Sequence, residues 1–206
     1  KTNSMRTFLL GLFLTGSLIS NAQELPKGYA QLIKEVEAPM IQWRRHFHEF
    51  PELSNRETNT GKYIAEFLKT LPNVEVRYPV AKTGVVAVLK GGKPGATIAL
   101  RADIDALPVL ERTPVPFASK VTSEYNGQKV NVSHACGHDS HTAMLMATAK
   151  VLSSLQKELP GTVVFLFQPA EEGAPANEEG GAPLMIKEGA LDNPKVEAVF
   201  GTLGWS

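Results

Sequence analysis

Thr162-Val163-Val164-Phe165-Leu166-Phe167, running straight into Gln168-Pro169-Ala170-Glu171-Glu172-Gly173, is the stretch on which the fold turns. A continuous apolar run carrying β-branched residues is what a strand covered on both faces needs. Before it, Met144, Leu145, Ala147, Thr148, Val151, Leu152 and Leu155 recur at helical spacing between Asp139 and Lys157, and Pro160-Gly161 stops them. After it, a helix is expected near Ala182 to Glu188 and a strand near Val196 to Phe200. Helix alternating with buried strand predicts an α/β fold, a three-layer sandwich around a largely parallel central sheet, with sites at the carboxyl ends of its strands.

Working back toward the amino end, β-rich runs are expected at Val74 to Tyr78, Gly84 to Leu89 and Ala96 to Leu100. The last two flank the Gly91-Gly92-Lys93-Pro94-Gly95 turn and are expected to be neighbours in one sheet. Two amphipathic helices precede them: Gly28 to Glu49, with Pro39 as a kink or break, and Arg56 to Leu71, ended by Pro72-Asn73. Between Pro108 and Ser133 the chain reads as a long irregular loop, and loops of that length usually serve a site.

The 206 residues are 43% hydrophobic and 20% charged, enough for one sizeable core. Twenty-one basic residues balance twenty-one acidic ones, so no overall field exists to hold nucleic acid or an anionic membrane. Met5-Arg6, an apolar run from Phe8 to Ile19 and Ser20-Asn21-Ala22 have the order of a signal peptide, residues 1–22, with cleavage after Ala22. A membrane-spanning helix needs about 20 apolar residues. Gly11, Thr15, Gly16 and Ser17 dilute this shorter run, so no span is expected after cleavage. The alternative is a short buried helix; the flanks favour export, to periplasm or medium. The one cysteine, Cys136, cannot form an intramolecular disulfide in such a compartment, and metal ligation is one other use for it.

Chemistry concentrates in short clusters. His134-Ala135-Cys136-Gly137-His138-Asp139-Ser140-His141 puts a thiol, three imidazoles and a carboxylate just before a helix. Thiolate and neutral imidazole are preferred ligands of zinc and its neighbours, and Gly137 lets two side chains converge. Asp139 falls where a helix N-cap belongs, or where a carboxylate would orient a ligand imidazole. The plainer reading is a polar helix start, which this density of ligand types disfavours. Glu171-Glu172 follows the buried strand, where paired carboxylates repel unless a cation is present. With a metal, one would ligate and its neighbour would take a proton from the activated water. Asp103 and Asp105, in Arg101-Ala102-Asp103-Ile104-Asp105-Ala106-Leu107-Pro108, fall on one side if the strand runs through them. A polar strand cap paired with Arg101 explains them as well. His46 and His48 are two apart on a helix and so splay, which fits packing or hydrogen bonding rather than joint ligation.

Together and in this order, Arg44-Arg45 with His48 and Pro51-Glu52-Leu53-Ser54, Arg101 to Pro108, His134 to His141 and Gln168 to Glu172 resemble the co-catalytic metallopeptidase family of carboxypeptidase G and aminoacylase. The resemblance is to its amidohydrolase branch of N-acyl-amino-acid, hippurate and auxin-conjugate hydrolases, and it runs from about Pro26 to Phe200. It implies a zinc-peptidase-like catalytic domain cleaving the amide of an N-acyl amino acid or related small conjugate, with two divalent ions, zinc or manganese, as cofactors. It makes Cys136, His138 and Glu172 metal ligands and Glu171 the general base. Asp103, Asp105, Asp139 and His141 are then expected behind the ligands.

The resemblance also implies a histidine ligand after the strand ending Val199-Phe200-Gly201, a lid domain through which full-length members dimerise, and a last histidine ligand. Here the sequence reads Thr202-Leu203-Gly204-Trp205-Ser206. Residues 23–206 are therefore expected to be the N-terminal part of the catalytic domain, truncated before the lid and inactive alone, since two cations need more donors than Cys136, His138 and Glu172. A non-catalytic metal- or peptide-binding module on the same fold is the alternative. Glu171 argues against it, because a binder has no use for a base.

Overall fold

The computed structural model describes residues 28–201; the signal segment expected at 1–22 lies outside them. In chain order the elements are α1 (Tyr29–Glu49), α2 (Thr58–Lys69), β1 (Val74–Val80), β2 (Gly84–Lys90), β3 (Lys93–Asp103), β4 (Thr122–Tyr125), β5 (Gln128–Asn131), α3 (His138–Ser154), β6 (Pro160–Gln168), α4 (Gly181–Lys187) and β7 (Ala198–Gly201). Among the described residues no helix is long and apolar enough to cross a membrane.

β6 is the strand buried on both faces. Val163, Phe165 and Phe167 point into one core with Ile64 and Leu68 of α2 and Leu145 and Met146 of α3. Val164 and Leu166 point into a second core with Val86, Ala99 and Leu184 and Met185 of α4. The period-2 alternation of a strand thus fills both sides of the sheet, which makes the three layers. Phe165 and Phe167 are wholly buried, and each contributes on the order of 2–3 kcal/mol by leaving water.

The main sheet has the order β1-β2-β6-β3-β7. β3 runs parallel to both β6 and β7, while β2 is antiparallel to β1 and β6. The sheet is mixed, with its parallel half centred on β3. β2 and β3 share the sheet but are not neighbours, because β6 lies between them. After β3 the chain crosses over through α3 and returns as β6 beside it, the connection a parallel pair requires.

α1 runs unbroken through Pro39 and packs chiefly on α3. The stretch from Pro108 to Ser133 is not all irregular: β4 and β5 form an antiparallel hairpin. Its turn is Asn126-Gly127, with φ of 51° and 75°, the pair of positive φ angles that a tight hairpin turn demands and that Asn-Gly supplies.

Candidate metal and catalytic site

β3 and β6 end side by side, with Asp103 opposite Gln168, and α3 begins at His138. The carboxyl ends of two parallel strands therefore face the start of a helix, where open α/β sheets place their sites. Gly137, at φ 86°, forms the N-cap position of α3. This left-handed residue between Cys136 and His138 turns both side chains toward one point. Asp139 is in the first turn of the helix, not at its cap.

Cys136, His138 and Glu172 each bring a donor atom to within 4.8 Å of the others. His138 is buried, and its Nδ1 donates to the Asp105 carbonyl oxygen at 2.9 Å, with Asp105 Oδ1 at 3.3 Å. That bond fixes the tautomer and leaves the Nε2 lone pair facing the cluster. Around Nε2 stand carboxylate oxygens of Glu171 at 3.6 Å, Asp103 at 3.7 Å and Glu172 at 3.8 Å. These separations are too long for hydrogen bonds and suit a cation between the groups.

The electrostatics agree. Burial, the Glu172 contact and the charges of Glu172, Glu171 and Asp103 push the Cys136 thiol up to about 11. Burial works against a charged His138 ring, but the Asp105 bond and the charges of Asp103 and Asp105 outweigh it and raise its pKa. So much negative charge calls for a divalent cation, which would also favour the thiolate. The mixed sulfur, nitrogen and oxygen donors fit zinc and similar ions.

Asp105 orders the cluster. Its Oδ2 accepts the Ser54 hydroxyl at 2.7 Å and the Glu172 N–H at 3.0 Å. Burial opposes its charge, but the His138, Ser54 and backbone bonds prevail and its pKa is lowered. Asp103, two residues before it, does a different job, because β3 ends between them. It accepts from Arg101 Nη1 at 2.7 Å and bonds His141 Nδ1 at 2.7 Å. Asp103, His138 and His141 also form a buried group with ligand-like spacing, although Arg101 already neutralises Asp103. Glu171 is 38% exposed, and its Oε1 lies 4.0 Å from Arg101 Nη2.

Asp139 does not orient His138. Its carboxylate meets His48 Nδ1 at 2.8 Å and Arg44 Nε at 3.0 Å, and His48 Nε2 sits 2.8 Å from Glu111 Oε2. This network anchors the start of α3 to α1 and to the loop before the hairpin, in keeping with a hydrogen-bonding role for His48. His46 instead stacks on Tyr63. His134 is buried outside both donor groups, and burial pushes it down to about 4. Three contributors carried no sequence signal of their role: Ser54, Glu111 and Glu57, whose Oε1 accepts the Ala170 N–H at 2.8 Å.

This fold and donor set define an α/β domain with a candidate site for a divalent metal ion. Residues 99–206 match peptidase family M20/M25/M40, and the chain belongs to that family. It is 44% identical to an N-acyl-L-amino acid amidohydrolase of Geobacillus stearothermophilus, over 85% of this chain and 44% of the relative. It is 46% identical to thermostable carboxypeptidase 1 of Saccharolobus solfataricus, over 82% of this chain and 40% of the relative. Among solved structures it resembles the YXEP protein of Bacillus subtilis, described as a dinuclear metal-binding peptidase of the M20 family, with a TM-score of 0.71 and 43% identity. That match covers 84% of this chain and 44% of the other. The chain thus spans less than half the length of these relatives.

Proposed function

We propose that the protein is a metal-dependent amidohydrolase acting on an amide whose amine side is an amino acid, with an N-acyl amino acid as the substrate class. The observation that carries this reading is the convergence of Cys136, His138 and Glu172 with a free carboxylate, Glu171, 3.6 Å from His138 Nε2. An amidohydrolase and a carboxypeptidase among the relatives share that type of bond, which supports the substrate class.

Cys136 Sγ, His138 Nε2 and a Glu172 oxygen would hold the ion. When bound, a zinc or manganese ion would polarise the scissile carbonyl and acidify water. These residues would supply three donors for one ion, and a second ion would need more. Asp105 accepts from His138 Nδ1–H, so in the neutral ring the lone pair that would meet the ion is on Nε2. Glu171, left out of the ligand set, takes the proton from the attacking water and delivers it to the leaving nitrogen. Arg101, beside both Asp103 and Glu171, keeps positive charge near the base.

The test is hydrolysis of N-acetyl amino acids with and without added zinc or manganese, on a protein extended to the length of its relatives and on its Glu171→Ala variant. Turnover should require metal and fall roughly 100-fold or more in the variant. Turnover that persists without metal, or in Glu171→Ala, contradicts the reading.

A further inference from the structure

Glu57 has no part in the chemistry above, yet it is 0% exposed. It occupies the N-cap position of α2, but its side chain makes no capping bond there. That task falls to Glu52, whose carboxylate accepts the N–H groups of Asn59 and Thr60. Glu57 is free to reach elsewhere. Its Oε2 accepts the Thr83 hydroxyl at 2.6 Å, and its Oε1 accepts the Ala170 N–H at 2.8 Å.

Ala170 is buried and has φ of 49°, a left-handed conformation that costs a non-glycine residue on the order of 1–3 kcal/mol unless its surroundings enforce it. It immediately precedes Glu171. The next N–H but one, that of Glu172, is taken by Asp105. Two buried carboxylates, Glu57 and Asp105, thus grip the amides on either side of Glu171. Burying an ionisable side chain is costly, and one that only filled space here would be better replaced by an apolar residue.

We propose that Glu57 is the positioning residue that sets the left-handed turn at Ala170 and, through it, the direction in which Glu171 and Glu172 project. The inference rests on reading those two residues as base and metal ligand. Burial raises the Glu57 carboxyl to about 7, against the Thr83 and Ala170 bonds that lower it, so the group sits in an environment that tolerates the neutral form. An amide should then serve in its place: the Gln carbonyl can accept from Ala170 while its NH2 donates to Thr83.

The experiment compares the 206-residue chain with Glu57→Ala, Glu57→Met and Glu57→Gln by amide hydrogen exchange without metal and by competitive zinc titration. Glu57→Met removes the acceptor with little loss of volume and stands in if Glu57→Ala does not fold. Expected are exchange at Ala170 faster by roughly 10-fold or more in Ala and Met, unchanged amides in the centres of β2 and β6, and zinc affinity lower by roughly 10- to 100-fold. Glu57→Gln should restore both. Native exchange at Ala170 in the Ala and Met variants, or a loss of protection spread evenly over the sheet, would overturn the proposal. An unaltered chain that binds no zinc would overturn the reading of the metal site, while the exchange data still decide whether Glu57 holds the turn.

Discussion

The buried carboxylates Asp103, Asp105 and Glu57 lie close together and have different roles because their partners differ. Asp103 faces Arg101, Asp105 faces only hydrogen-bond donors, and Glu57 faces one hydroxyl and one amide. With so little compensation, Glu57 carries its desolvation openly, and its carboxyl is raised from 4.5 to about 7. The sign of the linkage follows: a carboxyl raised on folding binds more protons in the folded state, so its stabilising contribution is full below about 4.5 and lost as pH rises through about 7. The difference is worth about 3 kcal/mol at most. Urea unfolding of the metal-free chain from pH 5 to 8 should show Glu57→Gln gaining on the unaltered protein as pH rises. Parallel curves for the two proteins would contradict this.

At the scale of elements, the site depends on how closely α2 approaches the turn between β1 and β2. Gly61, one helical turn beyond Glu57, lies against that turn; a Cβ there would collide with the Thr83 carbonyl oxygen and come within 2.9 Å of Tyr78 Cε2. Gly to Ala inside a helix normally gains about 1 kcal/mol. Here overpacking should win, and Gly61→Ala should lower the unfolding free energy by about 1–3 kcal/mol, measurable by the same urea titration. A stabilised variant would show that the helix can shift at no cost. Local patterns revealed most elements within a few residues. The hairpin inside the stretch expected to be irregular was missed, because its strands are four residues each and lack the apolar alternation that marks a strand. The insertion of β6 between β2 and β3 was not readable, since a glycine-rich turn looks the same whether it joins adjacent strands or strands one place apart.

For the whole molecule, legibility followed sequence distance. Cys136 and His138 announce themselves because their ligand types crowd into one short segment, and Glu171-Glu172 because a buried run delivers them. Asp105 stood in a recognisable pattern, but its grip on His138 and Glu172 exists only after β3, α3 and β6 have assembled. Glu57 meets Ala170 across 113 residues and Thr83 across 26, and before folding it is one polar residue among several at a helix start. The central claim is that folding brings Cys136, His138 and Glu172 to one cation with Glu171 left free as base. Competitive zinc titration of the unaltered chain, Cys136→Ser, His138→Ala, Glu172→Gln and Glu171→Ala tests it most directly. Zinc should be bound by the unaltered chain and by Glu171→Ala, with affinity lower by at least about 10-fold in each of the other three. Absence of zinc binding, or affinity indifferent to Cys136, His138 and Glu172, would contradict it.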